Sequence, residues 1–262
     1  LIGYLKPWQA TFMIVGIPGL VLALAAFCLK EPQRIEQQVD RDQLVDRKNV
    51  FIHLKEHRKT LVPMFGGLIF MALIFYSFSF WAPTMMIRTF NISLTEVGFT
   101  LGVITIISSI TGTIIAGSAV DYLRNRNYSD APVRAAMIAV ILALPPIISL
   151  SFVQSELSAW ICIALYLLFI SSFAPLGLLA ISGVSTGNVK GQTAAIHAFL
   201  MMAFGLSLGP QLTAFFTDFV FVDPNLLINS ISLTGLIVLP ISALLFKLSL
   251  SRYRESSESI LS

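Results

Sequence analysis

Residues 97–126 read VGFTLGVITIISSITGTIIAGSAVDYLRNR, and this stretch indicates the solvent in which the chain folds. Positions 97–119 contain no charged residue, whereas Asp121, Arg124 and Arg126 follow directly. A helix needs about 20 predominantly apolar residues to cross the hydrocarbon core of a bilayer, because each residue adds about 1.5 Å. The stretch therefore predicts a membrane-spanning helix that ends in a charged loop.

Runs of the same kind recur along the 262-residue chain, of which 56% is hydrophobic and 12% is charged. Soluble domains average about 25% charged residues, so the composition favours a bilayer as the solvent. Proline and glycine inside the runs are compatible with membrane helices, where neighbours satisfy the freed backbone groups. The predicted fold class is all-α, a multi-pass membrane helical bundle with seven spans, at residues 9–29, 61–83, 97–119, 135–153, 158–183, 193–217 and 227–246.

The positive charges predict the orientation of the spans. Of the 17 Lys and Arg residues, all but Lys6 and Arg88 fall in alternate gaps, which are 30–59, 120–134, the loop near 190 and the C-terminal end. Cytoplasmic loops carry an excess of Lys and Arg. We therefore expect a multi-pass protein of the cell (inner) membrane with an external N-terminus and a cytoplasmic C-terminus. Confinement of the cations to loops argues against nucleic acid as a partner.

The long polar gap predicts the domain organisation. We expect the last helix of an N-terminal bundle at 1–29, a cytoplasmic inter-bundle linker at 30–59, a C-terminal six-helix bundle at 60–249 and a cytoplasmic tail at 250–262. His53 and His57 are spaced i, i+4 in the linker, but such a pair among lysines is usually a solvated surface, so we expect no metal. Cys28 and Cys162 lie in apolar runs without metal or redox spacing, and no cofactor is expected.

Three segments resemble one family of membrane proteins. Gly117-Ser-Ala-Val-Asp121-Tyr-Leu-Arg124-Asn-Arg126, at a predicted cytoplasmic helix end, resembles the loop motif of the major facilitator superfamily. The first span and its exit, Trp8 to Arg34, resemble the sixth helix of that superfamily, and Gly205-Leu-Ser-Leu-Gly209-Pro210 followed by Asp218 is similar to its eleventh. The chain then resembles helices six to twelve, of the spinster-like or organic-anion branch. This implies that the first five helices of an N-terminal bundle are missing.

The loop motif implies a cytoplasmic gate at Gly117, Asp121, Arg124 and Arg126. A helix C-terminus carries a partial negative charge, which favours the arginines and disfavours Asp121 unless it pairs with a cation or caps a neighbouring helix. Such a pair either latches the gate in one conformation or is an ordinary interfacial ion pair. Close helix packing is predicted where small residues recur four apart, at Gly98 and Gly102, Thr113 and Gly117, and Gly205 and Gly209.

The resemblance also implies a cavity lined by the first, second, fourth and fifth helices of this bundle. These helices would supply an uncharged wall, with candidates Tyr76, Ser79, Trp81, Thr105, Ser108, Tyr166, His197, Met201 and Gln211. Helical spacing predicts two shared faces. The first holds Tyr76, Ser79, Phe80 and Pro83, and the second holds His197, Met201, Phe204, Leu208 and Gln211.

His197 is the one ionisable residue that we find inside the predicted spans. Ionisable groups are costly in a bilayer, and histidine titrates near neutral pH, so His197 is a candidate for proton coupling or solute contact. The alternative is a histidine that hydrogen-bonds a backbone carbonyl.

The predicted function is secondary active transport of a small organic solute by alternating access, with protons as the coupling ion and an organic anion among the candidate solutes. The alternative is a heptahelical receptor or another membrane protein without transport activity. A retinal protein needs a lysine in the middle of the last span, and Lys247 lies at its end. The spans contain no paired carboxylates or Ser/His/Asp set, so we do not expect an enzyme.

Overall fold

The computed structural model describes residues 6–27, 48–185 and 187–261. The chain divides into two compact units, Leu1–Asp46 and Arg47–Ser262. The described part of the first unit is one helix, α1 (Pro7–Ala26), in which Lys6 N donates to Gln9 Oε1 at 2.9 Å across the first turn. Cys28 and most of the predicted linker lie outside the described residues.

The described part of the second unit contains helices and short connections, and no strand. Two π-helical turns, Met201–Leu206 and Phe216–Phe221, flank α9, and short 3₁₀ turns occupy Leu150–Phe152 and Pro224–Leu226. The helices are α2 (Lys48–Glu56), α3 (Arg58–Phe90), α4 (Leu94–Asn125), α5 (Ala131–Ser149), α6 (Glu156–Ile170), α7 (Phe173–Val184), α8 (Gly187–Leu200), α9 (Ser207–Phe215) and α10 (Leu227–Leu261).

Local sequence sets several helix ends. Asn91 ends α3 with φ of 56°, a left-handed conformation that asparagine tolerates. Ser93 then caps α4 by accepting from Glu96 N at 3.3 Å, and Ser155 caps α6 in the same way. The break between α6 and α7 precedes Pro175, which lacks an N–H and fits the first turn of α7.

Six helices of the described chain are long and apolar enough to cross a membrane, and they coincide with six of the seven predicted spans. The all-α membrane bundle predicted from the sequence is therefore confirmed. The first predicted span forms α1, whose apolar part Phe12–Ala26 is shorter than the other six. The six long helices are Arg58–Phe90, Leu94–Asn125, Ala131–Phe152, Glu156–Val184, Val189–Phe221 and Pro224–Ser257.

Hydroxyl groups hold α10 against the rest of its bundle. Ser232 donates to the carbonyl of Ile147 on α5 at 2.8 Å, and Ser242 donates to that of Gly67 on α3 at 2.7 Å. Nearer the C-terminus, Tyr253 donates to the carbonyl of Ala180 on α7 at 2.8 Å. Helix α10 continues to Leu261, so the residues predicted as a tail from 250 are helical as far as 261.

Close helix contacts occur at only some of the predicted small residues. On α4 the close contact is at Gly112, where an added Cβ would overlap the carbonyl oxygen of Leu168 on α6. Gly205 and Gly209 pack against α3, as predicted. In contrast, a Cβ built on Gly98, Gly102 or Gly117 meets no atom within 4 Å in the described chain, so those positions are not its packing sites.

We predict that Gly112→Ala separates α4 from α6, because the backbone carbonyl of Leu168 cannot move aside as a flexible side chain would. The expected loss is about 1–3 kcal/mol of stability, the usual cost of overpacking. Thermal unfolding in detergent measures it. The matched control is Gly98→Ala on the same helix, which meets open space. Equal unfolding midpoints for the two variants would contradict the α4–α6 contact.

Candidate functional site

The predicted cavity face of α3 is the open side of that helix in the described chain. Ser79 and Phe80 are exposed and Tyr76 is half-buried, whereas Ser77 and Phe78 are buried in the bundle. These exposures agree with the face predicted from helical spacing. The open face carries a hydroxyl group and aromatic rings, and no charge.

Trp81 connects α3 to α9. Its indole Nε1 donates to the carbonyl of Pro210 at 2.9 Å, and the ring is half-buried. This side chain was predicted to line the cavity, but its only N–H group is already used between two helices. Trp81 therefore fixes the position of α9 at the edge of the open face.

Two other predicted cavity residues lie inside the bundle. Ser108 is buried one turn before Gly112, on the side of α4 that meets α6. Tyr166 is fully buried, with its ring centroid 4.8 Å from that of Phe78. Neither side chain reaches the open side of this bundle, because spacing alone does not tell which face of an apolar helix meets a neighbour. Thr105 is half-buried.

The predicted stripe on the fifth span of this bundle is divided in two. His197 and Met201 are buried, whereas Phe204, Leu208 and Gln211 are exposed. The π-helical turn at Met201–Leu206 lies between the two groups. A π turn accommodates one extra residue and so rotates the helix that follows by about 100° relative to α-helical spacing. Gln211 is therefore on the open side, and His197 and Met201 are not.

A buried chain of hydroxyl groups joins three helices behind the open face. Ser77 on α3, Thr213 on α9 and Thr234 on α10 are linked by distances of 2.6 Å and 2.8 Å. Thr234 donates its one proton to the carbonyl of Ser230, so Thr213 must donate to Thr234, and Ser77 to Thr213. Sequence reasoning missed this chain, because its members are single hydroxyls on separate spans.

His197, on α8, packs against α3 and α7. Its ring centroid is 5.0 Å from that of Phe65 on α3, and a Cβ added to Gly177 on α7 would be 3.0 Å from its Cε1 atom. The side chain is 2% exposed, and Nε2 has no hydrogen-bond partner in the described chain. Among the described residues, therefore, no backbone carbonyl bonds Nε2.

At the predicted gate, Asp121 is exposed and forms no ion pair with any residue that the structure describes. Arg126 lies over the ring of Tyr122, 4.7 Å from its centroid. No atom approaches a Cβ built on Gly117. Among the described residues the motif thus presents a carboxylate without a cation partner, and free space beside it at Gly117.

The paired carboxylate at this end is instead Asp130, which is 1% exposed and precedes α5. Arg134 donates to it from Nε at 3.2 Å and from an Nη atom at 2.9 Å, and Arg254 of α10 donates at 3.3 Å. The Arg134 guanidinium also lies over Tyr128, 4.5 Å from the ring centroid. The spacing of Asp130 and Arg134 was readable from the sequence, but the contact with Arg254 was not.

Helix α2, from the predicted linker, docks on the bundle through His53, and His57, which lies between α2 and α3, makes a second contact. His53 Nε2 lies 3.1 Å from Ser185 Oγ after α7, and His57 Nδ1 lies 3.4 Å from Ser256 Oγ on α10. The two imidazole centroids are 4.6 Å apart. Among the described residues, no group of three or more His, Cys, Asp or Glu could hold a metal ion.

We predict that Asp130→Asn loosens the C-terminal end of α10, because an amide cannot accept strongly from two guanidinium groups. Hydrogen bonds to charged groups contribute about 1.5–3 kcal/mol, and a loss of that order is expected in thermal unfolding. Asp121→Asn is the matched control and is expected to leave the unfolding midpoint unchanged. A midpoint for Asp130→Asn equal to that of the control would contradict the clamp.

We predict that acidification releases α2. Burial lowers the pKa of His53 below its usual 6.5, and His57 lowers it further, while Glu56 and the Val184 backbone oppose the shift. The docked state thus binds a proton less readily than the undocked state, so docking is at full strength above pH 6.5 and weakens as the pH falls below that value. Hydrogen–deuterium exchange of α2 should increase on acidification, after correction for the intrinsic rate, and less so in His53→Gln. Equal pH dependence in both proteins would contradict this prediction.

The comparisons with known proteins agree with this architecture. A family model described as Major Facilitator Superfamily matches residues 1–210. No curated protein matches the chain. Among solved structures, the chain is similar to a bacterial homologue of the human lysosomal transporter spinster in an inward-facing and unoccupied conformation, with a TM-score of 0.62 and 15% identity over 98% of this chain and 60% of that chain.

The same homologue in an inward-facing and occupied conformation gives a TM-score of 0.56 at 15% identity, over 98% of this chain and 59% of that chain. This chain therefore spans about three-fifths of the length of those structures. At this identity the likeness concerns the fold, and it agrees with the spinster-like resemblance at that level. With a family model matched over most of its length and a membrane bundle of the corresponding fold, the chain belongs to the Major Facilitator Superfamily.

Proposed function

We propose that the protein containing this chain is a secondary active transporter of a small organic solute, driven by protons and working by alternating access. Membership of the superfamily supports transport rather than catalysis. In this proposal α1 is the sixth helix of the transporter and α3 to α10 form its C-terminal bundle. The protein lies in the cell (inner) membrane, with α1 beginning outside and α10 ending in the cytoplasm.

The observation that carries the proposal is the polar, uncharged open face of the C-terminal bundle. Ser79 and Gln211 are exposed on two spans that Trp81 and Pro210 tie together. Exposed polar groups are unfavourable against lipid, so we infer that they face an aqueous cavity. The cavity is completed by an N-terminal bundle from outside this chain, and that bundle must supply the counter-charge if the solute is an organic anion.

The gate motif fits the same proposal. Asp121 is exposed with free space at Gly117 one turn earlier, so another bundle can approach closely and present a cation. We propose that Asp121 pairs across the cytoplasmic gate when the cavity opens outward. Arg124 and Arg126 on the same helix end would hold a carboxylate from the other bundle.

Proteoliposomes containing the full-length protein test the proposal. They are incubated with a mixture of small organic acids, alcohols and amines, with and without an inward proton gradient, and their contents are read by mass spectrometry. At least one solute should accumulate only when the gradient is present. Gln211→Ala should raise the KM for that solute, because the amide is lost from the cavity wall.

The matched control is Ile141→Ala, an exposed apolar residue on α5, outside the proposed cavity. It should transport as the unchanged protein does. Protein-containing liposomes that take up no solute faster than protein-free liposomes would contradict transport. Accumulation that does not require the proton gradient would contradict proton coupling but not transport itself.

A further inference from the structure

Two polar side chains on one face of α8 are buried without hydrogen-bond partners. Thr193 is fully buried and His197, one helical turn later, is 2% exposed. Neither Thr193 Oγ1 nor His197 Nε2 finds a partner in the described chain. Leaving a buried polar group unsatisfied costs about 1–3 kcal/mol, so a pair of them on a single turn requires an explanation.

The residues that lie against the His197 ring are uncharged, while α2, which also packs against α8, carries His53, Lys55 and Glu56. Phe65 from α3 lies against its ring, and Gly177 from α7 lies beside Cε1 and Nε2, with Leu68 of α3 close to the same glycine. On its own helix Thr193 is one turn away, and the exposed Lys190 is two turns away on the same face. Phe65, Leu68 and Gly177 offer no counter-ion for an imidazolium, so this packing favours the neutral ring.

The spacing suits a shared ligand with both donor and acceptor capacity. Side chains at i and i+4 lie about 5–6 Å apart at their Cβ atoms, which allows one water to bond both groups. A threonine hydroxyl can donate to or accept from that water, and the neutral imidazole Nε2 can accept from it or donate to it, depending on the tautomer.

We propose that Thr193 and His197 form a buried proton-binding site, in which a water held by Thr193 delivers the coupling proton to His197 Nε2. The site deepens the proposed function and rests on it. The proton comes from bulk water on one side of the membrane and binds to the Nε2 lone pair. Later in the transport cycle the N–H bond breaks again and the proton returns to water on the other side.

The adjoining π-helical turn gives this site a link to conformation. It begins at Met201, four residues after His197, and its conversion to α-helix would rotate α8 by about 100° relative to α9. Because the packing against Phe65 and Gly177 favours the neutral ring, protonation favours the rotated state, in which His197 leaves these two residues. Proton binding and the change of state are then one event.

A substrate-free measurement tests the site in the full-length protein. Exchange of the imidazole Cε1 hydrogen for deuterium, resolved by mass spectrometry, reports the titration of each histidine separately. His197 should exchange more slowly than the partly exposed His57 and show a sigmoidal pH dependence. Thr193→Val should move the midpoint of this titration to lower pH, because the hydrated proton loses a hydrogen-bond partner. The control Thr113→Val, at an exposed threonine on α4, should leave the midpoint unchanged.

Transport gives the second readout, using the solute identified from the mixture of acids, alcohols and amines. His197→Gln should lose gradient-driven accumulation yet retain exchange of internal for external solute at equal pH. Accumulation equal to that of the unchanged protein would overturn the site while leaving the transport function intact. If His197→Gln loses both activities, the hydrogen-exchange titration of His197 decides. A titration midpoint that Thr193→Val moves supports the site. A missing titration, or a midpoint that Thr193→Val does not move, overturns it.

Discussion

The bilayer interior offers no water, so every polar group on these spans must find its partner inside the bundle. Helix α10 meets this requirement by donating hydroxyls to carbonyls of α3, α5 and α7, through Ser232, Ser242 and Tyr253. The chain from Ser77 through Thr213 to Thr234 does the same between three spans. These bonds define a supported side of the bundle and leave the opposite side, with Ser79 and Gln211, open.

The same constraint makes exceptions informative. Thr193, His197 and Tyr166 carry the buried side-chain atoms that lack partners in the described chain. Two of them share one turn of α8, next to a π-helical turn. Asp130, in contrast, accepts hydrogen bonds from Arg134 and Arg254 and so connects the start of α5 with α10.

Sequence alone predicted the helices well, because apolar length and cation placement follow directly from the bilayer. It predicted the open face of α3, since Tyr76, Ser79 and Phe80 obey plain helical spacing. It could not predict that Gln211 and His197 lie on different sides, because a π turn leaves no clear signal in composition. Ser108 and Tyr166 were misplaced for a related reason: in a span that is apolar all round, only contacts between helices decide which face is buried. Asp130 was missed because its second partner, Arg254, is distant in sequence.

The central claim is that the open side of this bundle faces water inside the membrane, and cysteine labelling tests it most directly. In a full-length protein from which other reactive cysteines are removed, Ser79→Cys and Gln211→Cys are exposed to a membrane-impermeant maleimide, with Ile141→Cys on α5 as the lipid-facing comparison. Our account predicts labelling at positions 79 and 211 and protection at 141. Protection at all three positions would show that the open face is covered by lipid, and would contradict the account.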